Sequence, residues 1–294
     1  MRAVKERAYA KINLYLDVVG RREDGFHDIE TVMHTVSLFD ELTVEASPSR
    51  APRVTMEIDG ADRLPTDDRN IAVKAARLYL ERAAITDSIK ITLKKQIPIA
   101  AGLAGGSSDA AATLRALNRL YGKRLSDKML LSLAEELGSD VPYCVCGGTA
   151  LCRGRGEKIE RLCEVGGLFF AIAVKDGEHV STPAAYSALD SLYSDFDGSV
   201  PRESAGLLPR LLDSINGRAV DPSCFYNIFE NAIFPVCFGA EALKNEMLTL
   251  GARAALMSGS GPSVYGVFDS EESARRAAEM LANSGVRAYY AKTV

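Results

Sequence analysis

The chain has no basic excess. Its 35 Lys and Arg face 39 Asp and Glu, for a formal net charge of -4. No global positive field is available to hold nucleic acid phosphates or an anionic membrane, so the expected partner is a small molecule, not a nucleic acid and not a membrane. No stretch reaches the run of about 18 apolar residues that a membrane span requires. The amino terminus carries Lys5, Glu6, Arg7 and Lys11 where a secretory segment would be apolar, so a cytoplasmic location is expected. The six cysteines, Cys144, Cys146, Cys152, Cys163, Cys224 and Cys237, include no CxxC pair, and only His27, His34 and His179 could join them. That spacing fits no common zinc pattern, and the thiols are expected to be reduced and mostly buried.

What is present is a chain of 294 residues with 47% hydrophobic content, enough for a sizeable core and more easily read as two domains than one. Ile12, Leu14, Leu16 and Val18 alternate with Lys11, Asn13, Tyr15 and Asp17, the period of a half-buried strand, which puts Lys11 and Asn13 on one side. Strands are expected over 35–46, 53–58 and 89–94, and helices over 70–84, 107–121 and 127–137. The segment from 138 to 157 reads as a turn and a strand. In the second half, GGLFFAIAV reads as a strand, with helices near 183–194, 203–215 and 227–250. Strand, strand, helix and strand follow at 252–257, 263–268, 271–284 and 286–292. Mixed elements without regular βαβ alternation favour an α+β fold, with the change of pattern near 160 dividing it into 1–160 and 161–294.

The segment most suggestive of chemistry runs Pro98, Ile99, Ala100, Ala101, Gly102, Leu103, Ala104, Gly105, Gly106, Ser107, Ser108 and leads straight into a helix. Small residues let backbone approach an anion. The free N–H groups and roughly half a positive charge at a helix start favour phosphate there. The Ser hydroxyls can cap the helix, bond a phosphate oxygen or meet a magnesium ion. The same residues also suit a turn that merely lets strand and helix pack. It is neither a Walker A loop nor a GxGxxG fingerprint. The methyls of Ala100, Ala101 and Ala104 disfavour a positive φ in a loop expected to lie close to phosphate.

Four stretches together carry a resemblance. PIAAGLAGGSSDAA resembles the second signature of the GHMP kinases, the family of galactokinase and of homoserine, mevalonate and phosphomevalonate kinases. AYAKINLYLDVVGRREDGFHDIETV and GSDVPYCVCGGTALCRGRGE resemble two further motifs of one branch, and ALMSGSGPSVYGVF resembles the family's third, glycine-rich motif. The resemblance implies a two-domain GHMP architecture with a substrate cleft between the domains, ATP and Mg2+ as cofactors, and the loop from Pro98 to Ser108 as the nucleotide site. It implies Asp140 as base and Lys11 as the group that neutralises developing charge. Read alone, Asp140 could equally cap the next turn, and Lys11 could be a solvated strand residue.

In that branch the substrate is a methylerythritol carrying a cytidine diphosphate group, phosphorylated on its 2-hydroxyl in non-mevalonate isoprenoid synthesis. Asn13, Phe26, His27, Thr182 and Tyr186 match its substrate residues, with Phe26 and Tyr186 implied to sandwich cytosine and His27 to read its edge. His27 could also be a loop imidazole without a ligand, and Tyr186 a core ring. Asn227 and Glu230 are read as structural support for the second half. A GHMP kinase acting on another small alcohol, or a nucleotide-binding regulator without catalysis, are the alternatives.

Overall fold

The computed structural model describes residues 2–61, 63–178, 180–193 and 204–294. His179 and residue 203, the expected start of a helix, lie outside the described residues. The chain divides into two compact units that are discontinuous in sequence: Met1–Ala10, Phe39–Ile99 and Ala104–Gly147 form the first, and Lys11–Leu38, Ala100–Leu103 and Gly148–Val294 the second. The two longest strands, β1 (Arg2–Arg21) and β2 (His27–Ser47), each contribute to both units.

In the first unit, β4 (Ser88–Lys94) pairs antiparallel with the end of β2 and parallel with β3 (Arg53–Asp59). The parallel pair requires a crossover, supplied by α1 (Ile71–Arg82). Asn70 starts that helix by accepting the Ala72 N–H on its side chain. Leu42, Val44, Ile89, Ile91 and Leu93 form one side of the core. Ala72, Ala76 and Tyr79 of α1 join Leu114 and Leu117 of α2 (Gly105–Leu120) on the other. Next come α3 (Asp127–Leu137), capped by Ser126, and α4 (Val141–Cys146). The sequence reading has a turn where α4 stands; Pro142 in its first turn is compatible with a helix there, since the missing N–H has no intrahelical acceptor at that position.

In the second unit, β5 (Thr149–Gly154) pairs with residues 29–34 of β2 and with β6 (Lys158–Arg161). A separate antiparallel sheet has the order β11-β7-β10-β9, from β7 (Phe169–Val174), β9 (Ala254–Met257), β10 (Val264–Phe268) and β11 (Arg287–Lys292). The helices are α5 (Thr182–Leu192), α6 (Leu207–Asn216), α7 (Phe229–Ile233), α8 (Phe238–Thr249) and α9 (Glu271–Asn283). The span expected as one helix over 227–250 is instead β8 (Tyr226–Asn227), α7 and α8, with Pro235 in the break. Leu189 of α5, Phe229 of α7 and Leu243 and Met247 of α8 pack with Ala255, Met257 and Val264 in one core. The fold is α+β. No helix among the described residues is long and apolar enough to cross a membrane. None of the six cysteines is in a disulfide; Cys152, Cys224 and Cys237 are buried, Cys144 and Cys146 half-buried and Cys163 exposed.

Candidate active site

The glycine-rich loop is held in two ways, one in each unit. Ala100–Leu103 belongs to the second unit, where three consecutive carbonyls are taken by protein donors. Ala101 O accepts from the Ser263 N–H and the Ser263 hydroxyl, Gly102 O from the Ser258 hydroxyl at 3.0 Å, and Leu103 O from the Lys11 N–H at 3.2 Å. A Cβ on Gly102 would stand 2.0 Å from Ser258 O, and its φ is +77°, so only glycine fits here.

Ala104 onward belongs to the first unit. The first intrahelical bond of α2 runs from Ser108 N–H to Ala104 O, which leaves Gly105, Gly106 and Ser107 N–H without intrahelical acceptors at the positive end of a 16-residue helix. Ala104, the residue before the helix, sits at φ 55°, and Ala100 at φ 53°. Both alanines therefore adopt the left-handed backbone that their methyls disfavour, and Ala101 does not. The two serines differ. Ser108 is buried and donates its hydroxyl to Tyr9 O at 2.5 Å, whereas Ser107 is half-buried with a hydroxyl that makes no hydrogen bond among the described residues. Pro98 and Ile99 precede the turn, Pro98 buried and Ile99 exposed.

Behind the helix start, Lys95 Nζ lies 2.5 Å from Asp40 Oδ2 and 2.8 Å from Asp109 Oδ2. Burial pushes the Asp109 carboxyl up to about 7, against the pull of Lys95. Burial lowers the Lys95 ammonium, but the charges of Asp109 and Asp40 outweigh it and raise the group above its ordinary range. Asp140, half-buried, occupies the position before α4 without capping it through its side chain.

In the second unit, Lys11 and Asn13 are 4% and 1% exposed and share one face of β1, as the alternation predicts. Lys11 Nζ donates to Asn13 Oδ1 at 2.7 Å. The same oxygen accepts the Gly259 N–H at 2.9 Å, and Asn13 Nδ2 donates to Thr31 Oγ1 at 2.8 Å. Asn13 thus joins Lys11 to the glycine-rich turn Ser258–Gly261. Asn227 shapes that turn by donating to Met257 O and Gly259 O, and Glu230 accepts the Met257 N–H at 2.8 Å and pairs with Lys244. Both are the supports that the sequence suggests.

His27 is buried, its Nε2 2.7 Å from Asp190 Oδ1. Its ring stacks on Tyr186 at 4.7 Å, and Tyr186 meets Phe229 edge-on at 4.9 Å. One face of Tyr186 is therefore covered by His27, while Phe26 is 52% exposed with the Arg155 guanidinium 4.9 Å over its ring. Thr182, in the first turn of α5, has its hydroxyl 3.2 Å from that of Ser260. Sequence reasoning missed Asp190, Thr31 and the pairing of Lys95 with Asp40 and Asp109, and it placed Gly259 only within the glycine-rich third motif. Asp190 lies one turn beyond Tyr186 on α5, and that spacing was the available signal. The others belong to no local pattern. No group of three or more His, Cys, Asp or Glu among the described residues could hold a metal ion by itself.

A loop with its carbonyls tied back and its N–H groups left at a helix start has the donor arrangement of a phosphate site. Comparison with known proteins agrees with that class. The family model for the GHMP kinases N terminal domain matches residues 70–148, and that for the GHMP kinases C terminal matches residues 207–287. The 4-diphosphocytidyl-2-C-methyl-D-erythritol kinase of Caldicellulosiruptor saccharolyticus is 40% identical over 94% of this chain and 91% of its own. That of Macrococcus caseolyticus is 40% identical over 95% of each. A crystal structure of 4-(cytidine 5'-diphospho)-2C-methyl-D-erythritol kinase superposes with TM-score 0.80 at 35% identity, covering 98% of both chains. Homoserine kinase from Cytophaga hutchinsonii, at 24% identity and TM-score 0.77, shares the fold. The chain belongs to the GHMP kinase family, in the branch of the 4-diphosphocytidyl-2-C-methyl-D-erythritol kinases.

Proposed function

We propose that this enzyme transfers the γ-phosphoryl group of ATP to the 2-hydroxyl of 4-diphosphocytidyl-2-C-methyl-D-erythritol, a cytoplasmic step of non-mevalonate isoprenoid precursor synthesis. The observation that carries the reading is the loop from Pro98 to Ser108, whose N–H groups without intrahelical acceptors suit a nucleotide phosphate, in a chain of this family. The 2-oxygen attacks the γ-phosphorus, the bond from that phosphorus to the β–γ bridging oxygen breaks, and ADP leaves. Asp140 takes the hydroxyl proton. Lys11, held by Asn13, offsets charge that develops on the transferring group. Ser107 is the hydroxyl of the serine pair left for the nucleotide, since both donors of Ser108 are committed to Tyr9 O and Ala104 O.

Magnesium fits this donor set. It is normally held by one or two protein oxygens together with substrate phosphates, and the unbonded Ser107 hydroxyl is such an oxygen. When bound it neutralises phosphate charge. On the substrate side, cytosine stacks on Phe26 and is read by His27, which Tyr186 supports from behind and Asp190 orients. Thr182 serves the remainder of the substrate.

Purified protein with ATP should consume it with the cytidylyl methylerythritol and not with homoserine or mevalonate. Turnover of either other alcohol, without product from the first, would sink the assignment and leave the fold. Asp140→Asn and Lys11→Met should each lower kcat by about 10² to 10⁴ in folded protein. A folded Asp140→Asn variant with parental kcat removes Asp140 from its role.

A further inference from the structure

Asp40, Lys95 and Asp109 have no part in the chemistry above, yet their side chains are only 0%, 5% and 5% exposed, and they bond to one another between the strand that leads into the glycine-rich loop and the helix that follows it. Lys95 is one residue past β4. Asp40 is in β2, and its second oxygen accepts the N–H groups of Gln96 at 2.5 Å and Ile97 at 2.9 Å, the two residues that lead into Pro98. Asp109 is in the first turns of α2. A Cβ built on Gly105 would lie 3.3 Å from Lys95 Nζ, so the ammonium sits directly behind the first residue of that helix.

Simple stability is a poor explanation for this arrangement. A cation behind a helix N-terminus is opposed by the dipole, and a buried ion group is often matched in stability by apolar residues of similar volume. The group is also incompletely satisfied, because Asp109 Oδ1 is buried with no hydrogen-bond partner. What the ions supply that an apolar cluster would not is a fixed geometry. Two directional bonds from one ammonium, at the exit of β4, fix it to Asp40 of β2 and to Asp109 at the helix start.

We propose that Asp40, Lys95 and Asp109 are positioning residues for the nucleotide, setting the Gly105, Gly106 and Ser107 N–H groups where the phosphates of ATP bind. The proposal rests on the reading of the loop as the ATP site. Lys95→Met should raise KM for ATP by about tenfold to a hundredfold while KM for the alcohol stays within about twofold, because only the nucleotide half of the geometry shifts. Lys95→Arg, which keeps the charge, should recover part of the loss. Asp109→Asn, which leaves Lys95 on Asp40, should raise KM for ATP by a smaller factor, about threefold or more. Thermal midpoints and calorimetric titration with ATP accompany each variant. If Lys95→Met does not fold, Lys95→Arg and Asp109→Asn decide the matter. Lowered midpoints with parental ATP KM and affinity in these variants would make the group merely structural and overturn the proposal. A parent enzyme that neither binds nor consumes ATP would instead remove the loop reading beneath it.

Discussion

The two halves of the glycine-rich loop use their polar groups in opposite ways. Residues 100–103 present carbonyls to the protein, and Ser263, Ser258 and Lys11 fill all three from Ala101 to Leu103. Residues 104–107 present N–H groups that the helix itself leaves unfilled. Reading only the glycines would treat them as one motif. Gly102 is required by an overlap with Ser258 O, whereas a Cβ on Gly106 would meet nothing closer than Ile71 Cγ2 at 3.6 Å. The first half is fitted to the protein, while the second keeps donors that the helix does not use.

The largest expected effect tests the first half. Gly102→Ala should cost about 4 kcal/mol of stability, from the overlap and the left-handed backbone together, read as a shifted denaturation midpoint. A variant as stable as the parent would break the contrast. Next comes pH, which can confound it. His34 of the second unit is fully buried, and burial lowers its imidazole to about 4 from 6.5. The unfolded chain therefore binds the extra proton first, so stability is full above pH ~6.5 and declines as pH falls toward ~4, by on the order of 3 kcal/mol. Denaturation curves at pH 7 and 5 for the parent and His34→Gln should differ in slope accordingly, and loop variants are best compared above that window.

Two smaller effects sharpen the comparison. Gly106→Ala should leave stability unchanged or raise it by up to about 1 kcal/mol, since alanine favours helix, yet raise KM for ATP several-fold by crowding the N–H groups. Parental KM would show that phosphate does not lie there. Ala104→Gly should stabilise by about 1 kcal/mol by relieving its left-handed backbone, which thermal unfolding can resolve.

Much of this was legible in advance where periodicity is strong. The alternation from Lys11 to Val18 located a strand and put Lys11 beside Asn13, and the helical spacing after Ser107 located α2. Short and long-range features were not legible. α4 spans six residues, too few to show a period, and a single proline divides what reads as one helix into α7 and α8. The positive φ of Ala100 and Ala104 runs against the preference of alanine, so the residue types gave no sign of it. Of the partners around the site, Lys95 and Asp40 are 55 residues apart, and Asn13 and Gly259 are 246 apart. No local pattern relates residues at such distances.

The sharing of β1 and β2 between two units has a consequence for synthesis of the chain. Every residue of the first unit has left the ribosome once Gly147 has, but residues 29–34 of β2 pair with 149–154, and Tyr15 and Leu16 of β1 pair with Tyr226 and Asn227. These stretches of the two strands are thus made long before their partners in β5 and β8, and an unpaired strand edge invites association with other chains. Maturation of the second unit waits until residues as late as 294 have been made, and neither unit can be excised as one uninterrupted fragment.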